Sequence, residues 1–454
     1  MDIFEFNFHW KRRTFNFKML TNFGGSMDAR GFHRSNFIGN GKIEVIPKVP
    51  LTRETLPLAY TPGVAEVSRE IAREPDKAFE YTNRGNTVAV ISDGTRVLGL
   101  GDIGPLGALP VMEGKALLFK VFGGVDASPL VLAEKDPEKF IEVVKAVSPS
   151  FGGVNLEDIA SPKCFYILDR LREELDVPVF HDDQQGTASV VLAGLLNALK
   201  VVGKKLSEVS VALFGAGAAG FATLRLLVKA GAKPEKVRVV ELVEGRPRVL
   251  TPDLPLENLF PYRGELLGKT NGEGVEGGPE EAVEGADVLI SFTKPGPGVI
   301  KPEWIGKMAD DAIVFPLANP IPEILPEEAK KAGARIVATG RSDYPNQINN
   351  LLGFPAIFRG ALDVRARTIT DGMIIEASKA IASVIEPSEG EIIPSPFHPE
   401  VHPRVARAVA EEAMREGIAR VRVNPEEVEE RLRTWRRFYE GNIVPLNEKR
   451  RNYR

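Results

Sequence analysis

A single cysteine, Cys164, occurs in 454 residues, so no intramolecular disulfide framework can form and a cytosolic, cytoplasmic setting is expected. No later segment reaches the roughly eighteen uninterrupted apolar residues of a membrane span. Thr187 to Val202 comes closest, and it carries Asn197 and Lys200. Neither sign of charge dominates: 58 Lys and Arg stand against 62 Asp and Glu, a formal net charge of -4. That balance gives no general electrostatic reason for nucleic acid or an anionic membrane as partner, and a small anionic substrate would need local positive groups. Glutamine is confined to Gln184, Gln185 and Gln347, beside abundant Glu, Lys, Arg and Pro, a bias that suggests a thermophilic source. No sequence repeat is found.

What is present describes a soluble globular chain, 43% hydrophobic and 26% charged, long enough for two domains plus extensions. Met1 to Lys18 mixes aromatics with Lys and Arg but lacks the apolar core and small-residue cleavage site of a signal peptide, so 1–36 reads as a tail, with Met19 and Met27 as alternative starts. From Leu58 strand-like and helical patterns alternate. Thr87 to Ser92 is an apolar, β-branched run closed by the turn signal Asp93-Gly94. Val97 to Gly107 is glycine-dense, Lys115 to Phe122 is apolar again, and Pro137 to Val147 and Pro162 to Leu175 have helical spacing. Such alternation implies a mostly parallel, three-layer α/β domain ending near Asp183.

The chain is organised around His181-Asp182-Asp183-Gln184-Gln185-Gly186-Thr187. Two adjacent acids stand there between the apolar run Val177 to Phe180 and the apolar helical segment from Thr187. Acids at a strand-to-helix junction either cap the helix or hold a hard cation. A second acidic pair, in Asn155-Leu156-Glu157-Asp158, ends another strand-like segment, and carboxylates converging from separate elements are what a divalent cation with oxygen ligands requires.

Farther on, Val209 to Phe214 runs into Gly215-Ala216-Gly217-Ala218-Ala219-Gly220 and then a helical stretch to Ala230. This is GxGxxG in the setting it needs, after a strand and opening a helix, where free N–H groups meet a pyrophosphate. The next strand, Val237 to Val240, ends at Glu241, twenty-one positions after Gly220, where an acid accepts from the adenine-side ribose hydroxyls. Ala286 to Phe292, Ala312 to Leu317 and Ala334 to Thr339 continue the sheet, and the Gly- and Pro-rich stretch from Pro252 to Gly278 reads as a surface excursion. Asn319, before Pro320, and Asn349-Asn350 fall on the edge where ligands gather, although an Asn before Pro is by itself a turn residue.

Tyr60-Thr61-Pro62-Gly63-Val64-Ala65, Arg96 to Gly104, Glu113-Gly114-Lys115, Asn155 to Asp158 and His181 to Thr187 together resemble malic enzyme, in its smaller prokaryotic or archaeal form. The resemblance runs from about Leu58 to Ile385, and Ile393 to Phe397 extends it. About seventy residues follow Ile385, too few for the phosphotransacetylase-like extension of some bacterial relatives. It implies an N-terminal α/β malic domain over 37–185, a Rossmann-type dinucleotide-binding domain over 186–423 and a basic extension over 424–454. The implied reaction is oxidative decarboxylation of (S)-malate to pyruvate and carbon dioxide, with NAD or NADP reduced and Mn2+ or Mg2+ bound. Carried onto this chain, the resemblance makes Glu157, Asp158 and Asp183 metal ligands, Lys115 the general base and Tyr60 the general acid. Arg96, Lys115, Asn319 and Asn350 become substrate contacts, while Gly215 to Gly220, Glu241 and Asn319 face the cofactor. A homodimer or larger homo-oligomer is expected.

Duller readings stand beside these. Tyr60 also fits a strand-end aromatic, Arg96 an ion-pair partner, Lys115 a solvated lysine, and His181 a packed residue behind the acids. Asp182 either caps the helix or hydrogen-bonds Lys115. Two rival functions are a shikimate- or folate-type dehydrogenase, which would lack the three carboxylates, and a non-catalytic dinucleotide sensor, which would have lost Lys115 or a ligand. Glu241 favours NAD, whereas Arg246 and Arg248 close by would favour the 2′-phosphate of NADP.

Overall fold

Thr87–Ser92, five apolar or β-branched residues and a serine buried along their whole length, form the central strand β1 of the first sheet. Parallel to it lie β2 (Asp126–Val131), β3 (Gly153–Leu156) and β4 (Val179–His181), in the order β2-β1-β3-β4. A parallel sheet needs crossovers, and helices Gly104–Gly123, Pro137–Val147 and Lys163–Glu174 supply them. The apolar run from Lys115 to Phe122 is thus the last half of a helix, which stops where Gly124 takes the left-handed conformation at φ 62°. Asp136 Oδ1 caps Pro137–Val147 by accepting from the Lys139 amide at 3.0 Å. Because the strands run the same way, the segments after β1, β3 and β4 emerge at one edge.

This computed structural model describes Arg30, His33 and residues 41–445; the tail expected over Met1 to Lys18 lies outside the described residues. Residues 43–437 cluster as one unit, and 1–42 with 438–454 as another, whose described part includes the wide turn Tyr439–Ile443.

The second sheet has six strands in the order β10-β9-β8-β5-β6-β7. Its members are β5 (Val211–Phe214), β6 (Val237–Val243), β7 (Arg246–Val249), β8 (Val288–Ser291), β9 (Ile313–Pro316) and β10 (Ile336–Val337). All neighbours are parallel except β6 and β7. The strand expected to end at Glu241 continues to Val243, because Glu244 and Gly245, at φ 52° and 76°, make the tight turn that a hairpin needs. The expected surface excursion is also partly interior. Leu256, Phe260, Arg263, Leu267, Thr270 and Asn271 are buried, and short helices at Leu256–Leu259 and Gly264–Leu267 carry several of them.

The connecting helix Thr187–Val202 is buried along most of its faces. With the preceding turn, Asp182–Val202 is long and apolar enough to cross a membrane by length and composition, but 72% of that window is buried inside the fold. Its core position explains its composition. Helix Phe354–Asp363, in the stretch expected with the second sheet, also packs on Gly104–Gly123: the Phe119 ring meets those of Phe354 and Phe358 edge-on at 4.7 and 5.3 Å. Apolar faces on the first sheet's helix, left uncovered by its own crossovers, take these later helices. Helix Pro425–Phe438, in the expected extension, follows the same logic, with Trp435 Nε1 donating to the Lys120 carbonyl at 2.9 Å.

Candidate active site

The edge at the ends of β1, β3 and β4 collects the charged residues. Asp93, after β1, is wholly buried and pairs with Lys163 Nζ at 2.5 Å, while its Oδ1 accepts from the amide and hydroxyl of Thr95 at 3.0 and 2.6 Å. Gly94, at φ 69°, permits a close pass of the Gly104 carbonyl that a Cβ would block. The turn so held places the Arg96 amide 3.0 Å from the Asp158 carbonyl. Sequence reasoning took Asp93 only as a turn signal.

After β3, Glu157 and Asp158 turn inward, Asp158 in the left-handed region at φ 55°. After β4, Asp182–Gly186 forms a single wide turn of π type before the Thr187–Val202 helix. A Cβ on Gly186 would collide with Asp182 Oδ1 and displace the carboxylate that holds Lys115. Glu157, Asp158 and Asp183 each present an oxygen within 4.8 Å of the others. Asn155 Nδ2 steadies Glu157 Oε2 at 3.0 Å, and the Asp158 amide donates to Asp183 Oδ2 at 2.9 Å. The buried Asp158 Oδ2 has no partner among the described residues.

Charge gathered in a dry place shows in the titration. Burial, with Asp182 and Asp183 adding and Lys115 opposing, raises the Glu157 carboxyl well above its usual range. Burial and the Asp183 charge push Asp158 up to about 7, and burial raises Asp183 too. Three crowded oxygens with a missing partner fit a hard divalent cation, the group most able to relieve that repulsion. His181 is wholly buried, pushed down to about 4 by burial, and its Nδ1 stands 3.8 Å from Asp183 Oδ2, behind the cluster.

Lys115, on helix Gly104–Gly123, reaches this cluster: Nζ lies 2.6 Å from Asp182 Oδ2 and 3.2 Å from Glu157 Oε1, over the Phe354 ring at 4.5 Å. Burial lowers its pKa, but Asp182 and Glu157 outweigh burial, and the net direction is upward. Asp182 pairs with Lys115, and its Oδ1 takes no cap bond among the described residues; Asn350 Nδ2 donates to the same Oδ2 as Lys115 at 2.7 Å. Asn349 Oδ1 instead accepts from the Leu351 amide.

Two candidates lie at the surface, although the Arg96 charge still pulls down the Asp183 carboxyl that burial raises. Tyr60 is 68% exposed at the end of helix Leu56–Ala59, and Arg96 is exposed, with no side-chain hydrogen bond for either found among the described residues. Asn319 is exposed at the end of β9; its carbonyl faces Gly99 of the Arg96 loop and its side chain packs on Gly340. Glu323, which sequence reasoning passed over, is wholly buried and ties the ends of β8 and β9 together, accepting from Ser291 Oγ at 2.7 Å and from the Thr293 and Ala318 amides at 3.0 Å. An acid four residues after Asn319, in an apolar stretch, was its only sequence signal.

On the second sheet Gly215 makes the turn after β5 at φ 83°, and Gly217 precedes helix Ala218–Lys229 with no side-chain cap and open space where a Cβ would stand. A Cβ on Gly220 would strike the Gly215 carbonyl, so helix and turn close only on glycine. Free amides beside an open approach fit a dinucleotide pyrophosphate. Ala216 is buried, Ala218 and Ala219 begin the helix, and both Glu241 oxygens are engaged, Oε2 with the Ala216 amide at 2.6 Å and Oε1 with the Leu242 amide at 2.8 Å. Arg248 lies directly across the hairpin from Glu241, and Arg246 across from Val243.

Comparison with known proteins is consistent across methods. Residues 40–136 and 132–172 match the malic enzyme N-terminal domain, and 184–238 and 284–414 the malic enzyme NAD binding domain. The chain is 74% identical to the malic enzyme from Pyrococcus horikoshii Ot3 whose crystal structure is known, with a TM-score of 0.92 over 94% of this chain and 99% of that one. It is 55% identical to the NAD-dependent malic enzyme of Geobacillus stearothermophilus, over 84% of this chain and 78% of the relative. To the NADP-dependent malic enzyme of Escherichia coli (strain K12) it is 46% identical, over 86% of this chain and 52% of the relative.

Proposed function

The chain belongs to the malic enzyme family, and from that premise we propose how its own residues carry out the oxidative decarboxylation of malate to pyruvate and carbon dioxide with reduction of NAD(P)+. The observation that carries the reading is the meeting of Lys115 with Glu157, Asp158 and Asp183 on one strand edge, in a chain whose second sheet bears an open glycine turn.

Glu157, Asp158 and Asp183 would hold Mn2+ or Mg2+, and the Gly215 to Gly220 turn would hold the dinucleotide. When bound, these supply a Lewis acid at the C2 oxygen and an acceptor for the C2 hydride. Lys115 takes the C2 hydroxyl proton as hydride leaves. In the cluster as it stands Asp182 and Glu157 hold the amine protonated, and positive charge arriving among the carboxylates weakens that hold and favours the neutral form a base needs. Asp182 and Asn350 aim Lys115, whereas Asp93 and Lys163 brace the loop that carries Arg96. Arg96 offers a fixed fork to a substrate carboxylate, with Asn319 and Asn350 as further contacts. Tyr60 protonates C3 after carbon dioxide has left.

Leu58, Tyr60, Leu98, Leu100 and Leu106 are between 64% and 80% exposed, apolar surface that suits a homodimer. The preferred cofactor is NAD, because Glu241 stands where a 2′-phosphate would be repelled. The division into a malic domain over 37–185 and a dinucleotide domain over 186–423, and a cytoplasmic setting, remain part of this proposal. The test is absorbance at the nicotinamide band with malate and Mn2+, run separately with NAD and NADP. Reduction with either supports the reading; reduction with neither overturns it.

A further inference from the structure

Arg263 lies between the two matched parts of the NAD binding domain, in the stretch whose composition reads as a surface excursion. It is only 9% exposed. The guanidinium sits over two rings, Phe165 of the first sheet's helix Lys163–Glu174 at 5.3 Å and Phe260 at 5.2 Å. Its Nη1 donates to the Ala216 carbonyl inside the glycine-rich turn, and its buried Nε has no partner among the described residues. Among the described residues no carboxylate lies within ion-pair distance of it. A buried cation whose nearest opposing charge, Glu241, stands beyond ion-pair distance is costly, and an arriving anion would relieve that cost.

The neighbourhood says what arrives. Ala216 is gripped at both ends, its N–H by Glu241 and its carbonyl by Arg263, which fixes the turn leading into helix Ala218–Lys229 beside the open space at Gly217. Both Glu241 oxygens already accept backbone N–H groups, so Glu241 makes no ion pair with Arg263, whose Nε is unspent among the described residues. A guanidinium with free N–H groups next to a helix N-terminus matches a phosphate oxygen in charge and in geometry.

We propose that Arg263 is a phosphate-binding residue of the dinucleotide site, supplying counter-charge to a phosphate of the bound cofactor while it holds Ala216 in place. The phosphate is the pyrophosphate shared by NAD and NADP, or the 2′-phosphate of NADP alone. This rests on the dinucleotide reading of the glycine-rich turn, which wild-type binding of NADH tests separately.

The experiment is a fluorescence titration of the full chain with NADH and with NADPH, and a calorimetric titration with adenosine, for wild type, Arg263→Met and Arg263→Lys. Arg263→Met fills the space between the rings without charge; Arg263→Lys keeps charge without the fork. Mn2+ binding and the melting temperature check that each variant is folded. Affinity of Arg263→Met for NADH and NADPH should fall about tenfold to a hundredfold, the range for a lost charge-assisted hydrogen bond, with adenosine binding unchanged and Arg263→Lys in between. A loss confined to NADPH would support the proposal with the 2′-phosphate as the partner. Wild-type affinity in Arg263→Met, or equal losses for NADH and adenosine, would overturn it. If the wild type itself fails to bind NADH, the dinucleotide reading falls first. Should Arg263→Met not fold, Arg263→Lys decides alone: NADH affinity reduced with adenosine unchanged supports the proposal, and unchanged NADH affinity overturns it.

Discussion

Lys115 Nζ stands 2.6 Å from Asp182 Oδ2, and the same oxygen takes Asn350 Nδ2 at 2.7 Å. One carboxylate oxygen thus aims the proposed base and ties it to the segment that leads into helix Phe354–Asp363. Replacing Asp182 by Asn keeps the shape and removes the charge. The kcat for malate oxidation should fall about a hundredfold, in the range for a disabled general base, while NADH affinity stays at the wild-type value. An unchanged kcat would remove Asp182 from the positioning of Lys115.

Burial and Asp183 place the Asp158 carboxyl at about 7, above its ordinary range, so in the cation-free protein it is largely protonated below that pH. A cation must displace that proton. Mn2+ affinity should therefore fall as pH drops below about 7, and calorimetry in buffers of different ionisation enthalpy should record proton release on binding near about pH 6. Asp183→Asn, which removes one of the three charges, should weaken Mn2+ binding and spare NADH binding. Unaltered Mn2+ dependence in that variant would dismiss the three-carboxylate site.

Tyr60→Phe keeps the ring and removes only the donor. If Tyr60 protonates C3, the variant should slow exchange of pyruvate methyl protons with deuterated water, measured with Mn2+ and reduced cofactor, by about a hundredfold or more. Lys115→Ala should instead suppress both malate oxidation and oxaloacetate reduction. Wild-type exchange in Tyr60→Phe, with malate oxidation lost, would leave Tyr60 a positioning role.

The hairpin sets Arg248 across from Glu241 and Arg246 two residues along the same face. Replacing both by Ala should raise KM for NADP about tenfold and leave KM for NAD unchanged, because only NADP brings a charge to that face. Equal losses with both cofactors would mean that the arginines only shape the hairpin.

His402 is wholly buried, bonded through Nε2 to the Leu351 carbonyl at 2.9 Å, and burial pushes it from 6.5 down to about 4. Between those values the unfolded chain binds a proton that the folded chain refuses, so stability is intact above about 6.5 and declines as pH falls toward 4. The loss attributable to His402 approaches about 3 kcal/mol. His181, shifted the same way, adds to it. Urea unfolding across that window should show the slope, and His402→Gln should flatten it; an identical slope in the variant would exclude His402 as a source.

Local chemistry was legible before the fold was known. Glycines spaced for a turn between strand and helix, acids at the ends of apolar runs and β-branched segments alternating with helical ones are short-range patterns, and the acidic pairs Glu157-Asp158 and Asp182-Asp183 and the glycine-rich turn could be named from them, whereas the role of Lys115 came only with the family resemblance. What brings Glu157 and Asp158 to Asp183 is the pairing of β3 with β4, and what brings Lys115 to Asp182 is a helix lying over the sheet, contacts 25 and 67 residues apart in the chain. Burial, which raises Asp158 and lowers His402, exists only once those layers have closed. The hairpin that turned Arg248 toward Glu241 depended on two left-handed residues at Glu244 and Gly245, and the buried station of Arg263 on two aromatic rings from different elements. Sequence determined which groups the protein possesses and the local turns that present them. Tertiary structure decided which groups meet and which lose water, because both follow from packing between residues far apart in the chain.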